Sequence, residues 1–557
     1  MNNIKKILLL SALCFAFTGN VSAQTNSNTT YSWSNLPMVA KPVFKKDTFN
    51  ILNYGAKTDG ITLNTKSIND AIIASSTKGG GVVLIPKGLW ITGPVVLKSN
   101  VNLHISDGAL LQFTEDKTQY PLVAGNYEGH PSPRNQSPIS GTHLTNIAIT
   151  GKGIIDGRGE VWRAMGKDRV TEKEWNKLVA SGGVVRSDGK SWYPSAGFLK
   201  GVADKQAIFL DPKKSLKEYE EMKDFFRPNM LVLTDCKKVL LEGTTFQNSP
   251  AWCLHTLLCE DLTVRDVRVR NQSNAQNGDA LDLESCRNVL VENCVFDAGD
   301  DGICIKSGRD EAGRQRGVPT ENVIVRNNVV YKAHGGFVIG SEMSGGARNI
   351  FVSDCTFIGT DIGLRFKTTR GRGGIVEKIY IKNITMKDIL HSAILFDMYY
   401  GGKSAIEDPD GKGINKVKIP VDESTPQFRE FYVNNVVCNG ADNGLLIRGL
   451  PEMSIKGIHL ENLVLKSNKG VEISEANDVT LKNVWLESKD TNPVLLIDNS
   501  SNIQLDGIKY TSGADLLFNI TGSRSEQIRV INTDTSKAKN KIEFESGAVS
   551  KSLIFNK

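Results

Sequence analysis

The stretch Cys286-Arg-Asn-Val-Leu-Val-Glu-Asn-Cys-Val-Phe296 decides the fold, because its pattern recurs along most of the chain. Its fourth and sixth residues are apolar, its eighth is Asn, and its ninth and eleventh are apolar again. Apolar residues at alternate positions predict two short β-strands, and the Asn between them suits a left-handed turn. One such unit cannot bury its apolar side alone, so it needs stacked neighbours.

Similar eleven-residue units follow one another at a spacing of mostly 21 to 34 residues. The fourth and sixth positions are apolar in every copy, and the eighth is always Asn, Asp or Gly. The units begin at Leu144, Cys236, Cys259, Cys286, Thr320, Ala347, Val376, Phe428, Ile455, Ala476 and Ser500. A β-sandwich would not repeat a turn residue at one offset, so the pattern predicts an all-β, right-handed parallel β-helix, a solenoid.

The N-terminus predicts export. Lys5 and Lys6 precede an apolar core at residues 7–17, and Val-Ser-Ala at residues 21–23 forms a small-residue cleavage site. We therefore expect residues 1–23 to be a signal peptide and the mature protein to be periplasmic or secreted. No later stretch is apolar for long enough to predict a membrane span.

The rest of the chain predicts one large domain preceded by a polar leader. The N-terminal part of that domain contains an amphipathic stretch, Thr65 to Ser76, that should cap the open end of the solenoid. A long charged insertion has a helical run near Ser215 to Phe225. The expected boundaries are 24–47 for the leader, 48–557 for the β-helix domain, 48–125 for its cap region and 158–228 for the insertion.

Composition excludes several classes of partner. The formal net charge of +6 falls to +4 when the two signal-peptide lysines leave, which suits an acidic polymer without requiring one. No basic run with interleaved aromatic residues occurs, so we expect no nucleic-acid partner. The nine cysteines form no CxxC pair, and several occupy repeated apolar positions, so we interpret them as small buried residues. No metal-ligand spacing or phosphate loop is present, and we expect no metal or cofactor.

A third strand follows each unit, and its register brings carboxylates together. Aligning Leu281 with Ile303 stacks Asp279 on Asp301 at a spacing of roughly 5 Å. Asp300 is displaced by one residue, and its neighbour in the next coil is His334.

The same register predicts two outward rows of side chains. One row holds His255, Asp282, Cys304, Val338 and Arg365, and the other holds Leu257, Glu284, Lys306, Gly340 and Lys367. Like charges this close raise one carboxyl pKa, which separates an acid from a base. Taken singly, the motifs have simpler explanations: a turn for Asp-Asp-Gly, a loop hydrogen bond for His334, and a solvated face for Arg365 and Lys367.

Four short motifs resemble those of glycoside hydrolase family 28. That family has an Asn-x-Asp, an Asp-Asp, a Gly-His-Gly and an Arg-x-Lys in this order. The chain has Asn277-Gly278-Asp279, Asp300-Asp301, Ala333-His334-Gly335 and Arg365-Phe366-Lys367. It departs from the pattern at Ala280 and Ala333, where Gly is common, which suggests a bacterial, exo-acting branch.

The resemblance implies a role for each motif. Asp300 would be the general acid, Asp279 and Asp301 would hold the attacking water, and His334 would orient or tune the acid. Arg365 and Lys367 would grip the uronate carboxylate. The substrate-contacting tyrosine of the family would be Tyr399 or Tyr400. From the register alone we add His255, Trp252 and Lys306 as further substrate contacts.

The implied function is hydrolysis of α-linked galacturonic acid in pectin, exo-acting and with inversion. The substrate would be a pectic polysaccharide or an oligogalacturonide, and we expect a monomer. Residues 158–228 would wall off one end of the cleft. The alternatives are a rhamnogalacturonan or side-chain galacturonide hydrolase, a Ca²⁺-dependent pectate lyase with Arg365 as base, and a non-catalytic glycan-binding solenoid.

Overall fold

Six of the eleven predicted units fold as two strands, and the other five form one continuous strand of 12 or 13 residues. The segment after each unit forms the next strand of the same coil. In the coil that decides the fold, these strands are Arg287–Glu292, Val295–Asp297 and Asp301–Lys306. Each strand pairs in parallel with its counterpart in the next coil, for example Val289 with Val323. The computed structural model describes residues 30–404 and 417–556. The predicted right-handed parallel β-helix is confirmed.

The first two strands of the coils form one 24-stranded sheet, sheet I. Its strands are Thr48–Asn50, Gly81–Ile85, Gly88–Thr92, Val101–Ile105, Ala109–Phe113, Thr145–Gly151, Ile154–Asp156, Lys237–Glu242, Thr245–Gln247, Glu260–Arg265, Arg268–Arg270, Arg287–Glu292, Val295–Asp297, Thr320–Arg326, Val329–Tyr331, Ala347–Ile358, Ile375–Lys387, Gln427–Asn439, Ile455–Ser467, Ala476–Ser488, Ser501–Asp506, Lys509–Tyr510, Glu526–Ile531 and Leu553–Asn556.

The third strands form a 14-stranded sheet, sheet II. Its strands are Val95–Val96, Ile139–Thr142, Leu231–Thr234, Leu254–Leu257, Leu281–Glu284, Asp301–Lys306, Gly335–Ile339, Ile362–Lys367, Ser392–Asp397, Asn443–Arg448, Lys469–Ser474, Leu495–Asp498, Leu516–Thr521 and Asn540–Glu545.

Left-handed turn residues separate the strands of sheet I. The eighth residue of all eleven units has a positive φ, such as 57° at Asn293, as predicted. The third residue of every unit is also left-handed, with 55° at Asn288, and this second turn was not predicted. Residue type gives no signal there, because Lys238, Lys378 and Glu430 adopt the same conformation as Asn288.

The interior of the solenoid is a continuous apolar core. Val289, Val291 and Phe296 of one coil are fully buried, as are the equivalent residues of its neighbours. The eight cysteines in the described part of the chain are all free and buried. The interpretation of the cysteines as small core residues is confirmed there.

The N-terminal end of the solenoid is covered by a helix, as predicted. Helix Thr65–Thr77 buries Ile68, Ala71 and Ile72 against the first strands of sheet I. The leader residues 30–47 run along the outside of sheet I, where Trp33 packs edge-on against Phe351 at 5.4 Å between ring centroids. Residues 1–23, the expected signal peptide with Cys14, lie outside the described residues.

Two structures project over sheet II. One is an antiparallel hairpin, Leu122–Tyr127 with His130–Asn135, which was not predicted because two prolines in its second strand argue against a strand. The other is the insertion. Its three-stranded sheet is Met165–Gly166, Val184–Val185 and Ser191–Tyr193, and its α-helices are Glu172–Ala180 and Ala196–Ala203. The run predicted to be helical near Ser215 to Phe225 is a 3₁₀ helix, Leu216–Phe225.

The remaining helical segments are short. They are Asp310–Arg316 and the 3₁₀ turns Ile51–Tyr54, Lys117–Gln119, Gly159–Val161, Lys167–Arg169, Thr535–Lys537 and Ser550–Ser552. Within residues 30–404 and 417–556, no helix has the length and apolar character needed to cross a bilayer.

Candidate active site

The register of sheet II places the predicted carboxylates side by side. Leu281 pairs with Ile303, and Asp301 pairs with Gly335. Asp279 therefore stacks on Asp301, while the backbone N–H of His334 donates to the carbonyl of Asp300 at 2.8 Å. The predicted rows of side chains follow from the same pairs.

Three carboxylates meet at this point. One oxygen from each of Asp279, Asp300 and Asp301 lies within 4.8 Å of the other two. Asp279 and Asp301 are 2% and 1% exposed, whereas the side chain of Asp300 is 23% exposed. Asp300 is therefore the carboxylate with direct access to a ligand on the outer face of sheet II, beside the hairpin and the insertion, which we call the groove.

Asp301 is held ionised by two cations. The Nζ of Lys367 lies 2.7 Å from its Oδ2, and the Nη1 of Arg365 lies 3.3 Å from its Oδ1. Burial by itself raises the pKa of Asp301, but the charges of Lys367, Arg365 and Lys306 outweigh burial and hold that pKa below its usual value. This carboxylate stays charged at acidic pH.

Asp279 has the opposite environment. Burial raises its pKa well above the ordinary value, and the charges of Asp282 and Asp300 raise it further. Its Oδ1 is buried without a hydrogen-bond partner in the described part of the chain. Neighbouring carboxylates whose pKa values are pushed apart are typical of acid–base sites.

His334 contacts the exposed carboxylate. Its Nδ1 lies 3.1 Å from Oδ1 of Asp300, and its Nε2 lies 3.9 Å from Oδ2 of Asp361. The hydrogen bond to Asp300 raises the pKa of His334 despite the opposing effect of burial. The imidazolium form of His334 is therefore favoured while Asp300 is charged.

The structure distinguishes the two candidate tyrosines. Tyr400 is 39% exposed, and the Nζ of Lys367 lies 5.0 Å from its ring centroid. Tyr399 is buried against Arg370, away from this surface. Only Tyr400 stands beside the predicted uronate-binding cations.

Lys306 and His255 lie beneath the groove instead of on its surface. Lys306 is 4% exposed, and its Nζ lies 3.1 Å from Glu342 and 3.5 Å from Asp282. His255 is 1% exposed and engages Glu284 and Asn229 through its two ring nitrogens. Their burial places these two residues behind the exposed carboxylate, where they hold other side chains. That they contact substrate stays a prediction.

Two carboxylates of the buried network were not assigned from the sequence. Asp282 is fully buried, neither of its oxygens has a hydrogen-bond partner among the described residues, and burial raises its pKa. Glu342 pairs with Lys306, which together with other cations offsets burial and lowers the pKa of Glu342 to about 2. Asp282 stood in the predicted outward row, but nothing in the sequence placed Glu342 beside Lys306.

The carboxylate cluster has the spacing that a divalent cation could bridge, with one oxygen from each of Asp279, Asp300 and Asp301. Lys367 and Arg365 already neutralise Asp301, so the charge of the cluster is partly balanced by the protein itself.

The hairpin closes the N-terminal end of the groove. Residues at its tip reach the loop before helix Asp310–Arg316, where Glu128 pairs with Arg309 at 2.7 Å. Tyr127 stacks on Trp252 with 6.4 Å between ring centroids. Between the hairpin, the insertion and Asn277 lies a cavity of about 470 Å³.

Comparison with known proteins agrees with this geometry. Residues 164–429, which contain all four motifs, match the model of Glycosyl hydrolases family 28. The chain is a glycoside hydrolase whose motif-bearing segment is similar to family 28. Residues 48–120 of this hydrolase also match a family described as Rhamnogalacturonase A/epimerase, pectate lyase-like.

Relatives of this hydrolase span plants and bacteria. It is 26% identical over 426 residues to a probable polygalacturonase of Vitis vinifera, covering 75% of this chain and 74% of the relative. It is 27% identical over 456 residues to an exo-poly-alpha-D-galacturonosidase of Dickeya chrysanthemi, covering 78% and 70%. A solved exopolygalacturonase from Thermotoga maritima is 29% identical, with a TM-score of 0.61 over 80% of this chain and 93% of that one.

Proposed function

We propose that this hydrolase cleaves α-linked galacturonic acid from the ends of pectin chains. One observation carries the proposal: a charged Asp301, fixed by Lys367 and Arg365, lies next to Asp279 and to the exposed Asp300. The names of the bacterial relatives, an exo-poly-alpha-D-galacturonosidase and an exopolygalacturonase, support the same substrate and the same mode of action.

Asp300 is the proposed general acid. It is the most exposed of the three carboxylates and is hydrogen-bonded to His334, so it can reach the glycosidic oxygen and protonate the leaving sugar. His334 orients or tunes this acid through that hydrogen bond. Both groups lie on neighbouring coils of one rigid sheet, which keeps their separation constant.

Asp279 and Asp301 are proposed to hold the attacking water. Asp301 is ionised and accepts the proton that the water loses, while Asp279 offers a second buried carboxyl to fix the water. Arg365, with Tyr400 beside it, is placed to bind the uronate carboxylate, because its guanidinium can donate two parallel hydrogen bonds. Lys367 holds Asp301 and adds positive charge beneath the same sugar.

The separation of the carboxyl groups bears on the stereochemical outcome of hydrolysis. Inverting glycosidases usually hold their two carboxyl groups roughly 6.5–9.5 Å apart, and retaining ones about 5–5.5 Å apart. The present cluster, with oxygens within 4.8 Å, is therefore closer to the retaining distance. We nevertheless propose inversion, as the family resemblance implies. Asp279 and Asp301 would hold the attacking water between them, so a wide separation of the carboxyl groups is not needed to admit it.

Chain-end action is supported by the covered groove. The hairpin and the insertion stand over the coils on the N-terminal side of Asp279, where a long polymer would otherwise continue. The insertion was expected to form this wall, and the hairpin adds to it.

The test is incubation of the protein with polygalacturonate in EDTA, followed by chromatography and proton NMR. Saturated monomer or dimer that appears first as the β-anomer is the expected result. The α-anomer would refute inversion alone, and early mid-sized oligomers would refute chain-end action. Unsaturated products absorbing near 235 nm would indicate a lyase, and activity on rhamnogalacturonan fragments only would indicate that alternative substrate. No product from any pectic polymer would favour a non-catalytic solenoid.

We also propose that residues 1–23 direct export and that the mature protein is a monomer. N-terminal sequencing of the protein from the periplasm or medium should begin at Gln24. Light scattering should give the mass of one chain.

A further inference from the structure

Two arginines beside the active site are buried without a carboxylate partner. Arg134 and Arg227 are 7% and 6% exposed, and no described acidic side chain lies within 4.0 Å of either guanidinium. Arg227 donates to the carbonyls of Pro250 and Gln276 at 3.0 and 2.9 Å. Arg134 donates to the carbonyl of Arg227. All of these acceptors are neutral.

Such an arrangement is unfavourable in the free protein. A buried cation loses its hydration, and neutral acceptors replace only part of that loss. Burial lowers the pKa of Arg134 to about 10, and the neighbouring charge of Arg227 contributes to the decrease. Burial likewise lowers the pKa of Arg227. An incoming anion would relieve both the desolvation and the mutual repulsion.

Both arginines line the cavity between the hairpin, the insertion and the motif that leads to Asp279. Its volume is about 470 Å³, and its walls include Tyr127, Tyr193 and Phe198, whose rings suit the faces of a sugar. The only acidic residue in its described lining is Asp168, which is exposed at the rim. Water screens that charge far more than it screens the buried arginines.

The cavity is coupled to the catalytic motif. The Nη2 of Arg227 donates to Oδ1 of Asn277 at 2.7 Å, two residues before Asp279. Arg365 and Lys367 lie on the opposite, C-terminal side of the carboxylates, in the strand Ile362–Lys367. Cations therefore flank the three carboxylates along the direction in which the coils stack.

We propose that Arg134 and Arg227 bind the carboxylate of a second galacturonate, on the side of the cleaved bond opposite to Arg365. The proposal rests on the proposed function and specifies its substrate: an oligomer with uronates on both sides of the scissile bond. Homogalacturonan meets this requirement. The rhamnogalacturonan backbone does not, because neutral sugars alternate with its uronates.

The chain offers a matched control for a purely structural role. Arg163 is 1% exposed and also has no described acidic partner within 4.0 Å, and its Nη1 donates to the carbonyl of Ser249 at 2.6 Å. It does not line the cavity. Substituting Arg163 measures what the loss of a buried arginine does to the fold alone.

The experiment compares Arg134→Gln, Arg227→Gln and Arg163→Gln on two substrates. One is trigalacturonate, and the other is the same trimer with its non-reducing-end carboxylate methyl-esterified. We expect Arg134→Gln and Arg227→Gln to lower kcat/KM for trigalacturonate by about 10- to 100-fold, mainly through KM, since each removes a charge-assisted hydrogen bond. The ester should already be a poor substrate for the wild type and should lose little more in these variants. Arg163→Gln should leave the ratio between the two substrates unchanged.

Equal losses on both substrates, or no loss on either, would overturn the carboxylate site while leaving the proposed function intact. If no galacturonate oligomer is hydrolysed at all, the proposed function fails, and calorimetry then decides the site. In that case digalacturonate should bind to the wild type and bind at least tenfold more weakly to Arg134→Gln. Equal binding to both proteins would refute the site independently of catalysis.

Discussion

The ammonium group of Lys367 lies 2.7 Å from a carboxylate oxygen of Asp301, and both side chains are buried. The two residues come from coils separated by one intervening strand, Gly335–Ile339. The charge that water would normally stabilise on Asp301 is thus stabilised by the protein, next to the proposed position of the attacking water.

Removing the charge of Lys367 should make the enzyme lose activity at a higher pH as the solution is acidified. Because the folded-state pKa of Asp301 is depressed, its ionised form contributes stability above the unfolded value, about 3.9, and that stability is lost as pH falls through the folded pKa. In Lys367→Met, only Arg365 and Lys306 remain to offset burial, so the pKa of Asp301 rises. We expect the acidic limb of the kcat/KM profile to move upward by about one to three pH units.

Lys367→Arg keeps the charge, so the acidic limb of its kcat/KM profile should lie close to that of the wild type. Lys382→Met, which removes a surface cation stacked on Trp33, is the neutral control. An unchanged acidic limb in Lys367→Met would show that Asp301 is not the ionised base.

An activated substrate can distinguish the proposed roles of Asp300 and Asp279. Replacing Asp300 with Asn should lower kcat on galacturonate oligomers by about 10²- to 10⁴-fold, because the leaving sugar is no longer protonated. A nitrophenyl galacturonide carries a leaving group that needs no proton, so Asp300→Asn should lose far less activity on it. Asp279→Asn should lose similar activity on both substrates. The reverse pattern would make Asp279 the acid, as its raised pKa alone would allow.

His334 should titrate above an ordinary histidine. Its hydrogen bond to Asp300 raises its pKa above about 6.5, so the stability of this charged pair is fully present below the unfolded value and is lost as pH rises through the folded one. NMR titration of the histidine ring should show this elevated pKa in the wild type. In Asp300→Asn the value should fall, since burial then dominates. An unchanged value would mean that the two side chains do not interact in solution.

A turn position offers a direct test of the repeat. Asn327 is exposed and left-handed, with a φ of 55°, at the eighth position of its unit. Asn327→Ala should lower the free energy of unfolding by about 1 kcal/mol, because a Cβ without a compensating polar group is unfavourable in this conformation. Asn327→Gly, which has no Cβ, should cost less. Urea unfolding of the two variants side by side measures the difference, and equal losses would contradict the turn assignment.

The parts of the fold and of the site that the sequence predicts are those that follow the periodicity of the chain. Wherever a residue belongs to a coil, its neighbour is set by the coil before it, so the stacking of Asp279 on Asp301 could be predicted without coordinates. The position of Glu342 could not be predicted, because it lies on a loop after the strand Gly335–Ile339 and owes its place to Lys306.

The burial of His255 and Lys306 could not be predicted from the sequence for a related reason. The register places His255 and Lys306 on the outward side of sheet II, which in an uncovered solenoid would face solvent. The hairpin covers part of this side. It could not be predicted from the sequence, because the prolines in its second strand argue against a strand. Long-range covering of one segment by another has no local signal.

The ion pair between Glu128 and Arg309 should control how firmly the hairpin closes the groove. It joins the hairpin tip to the loop before helix Asp310–Arg316 at 2.7 Å and is partly exposed, so we expect it to contribute up to about 1 kcal/mol to the closed form. Glu128→Gln should then raise the open population about fivefold and increase the loss of polygalacturonate viscosity per bond cleaved. Glu242→Gln, which removes a partner of Arg265 on sheet I, is the matched control and should leave the product sizes unchanged. Identical product sizes from Glu128→Gln and the wild type would mean that the insertion alone, without the hairpin, restricts the enzyme to chain ends.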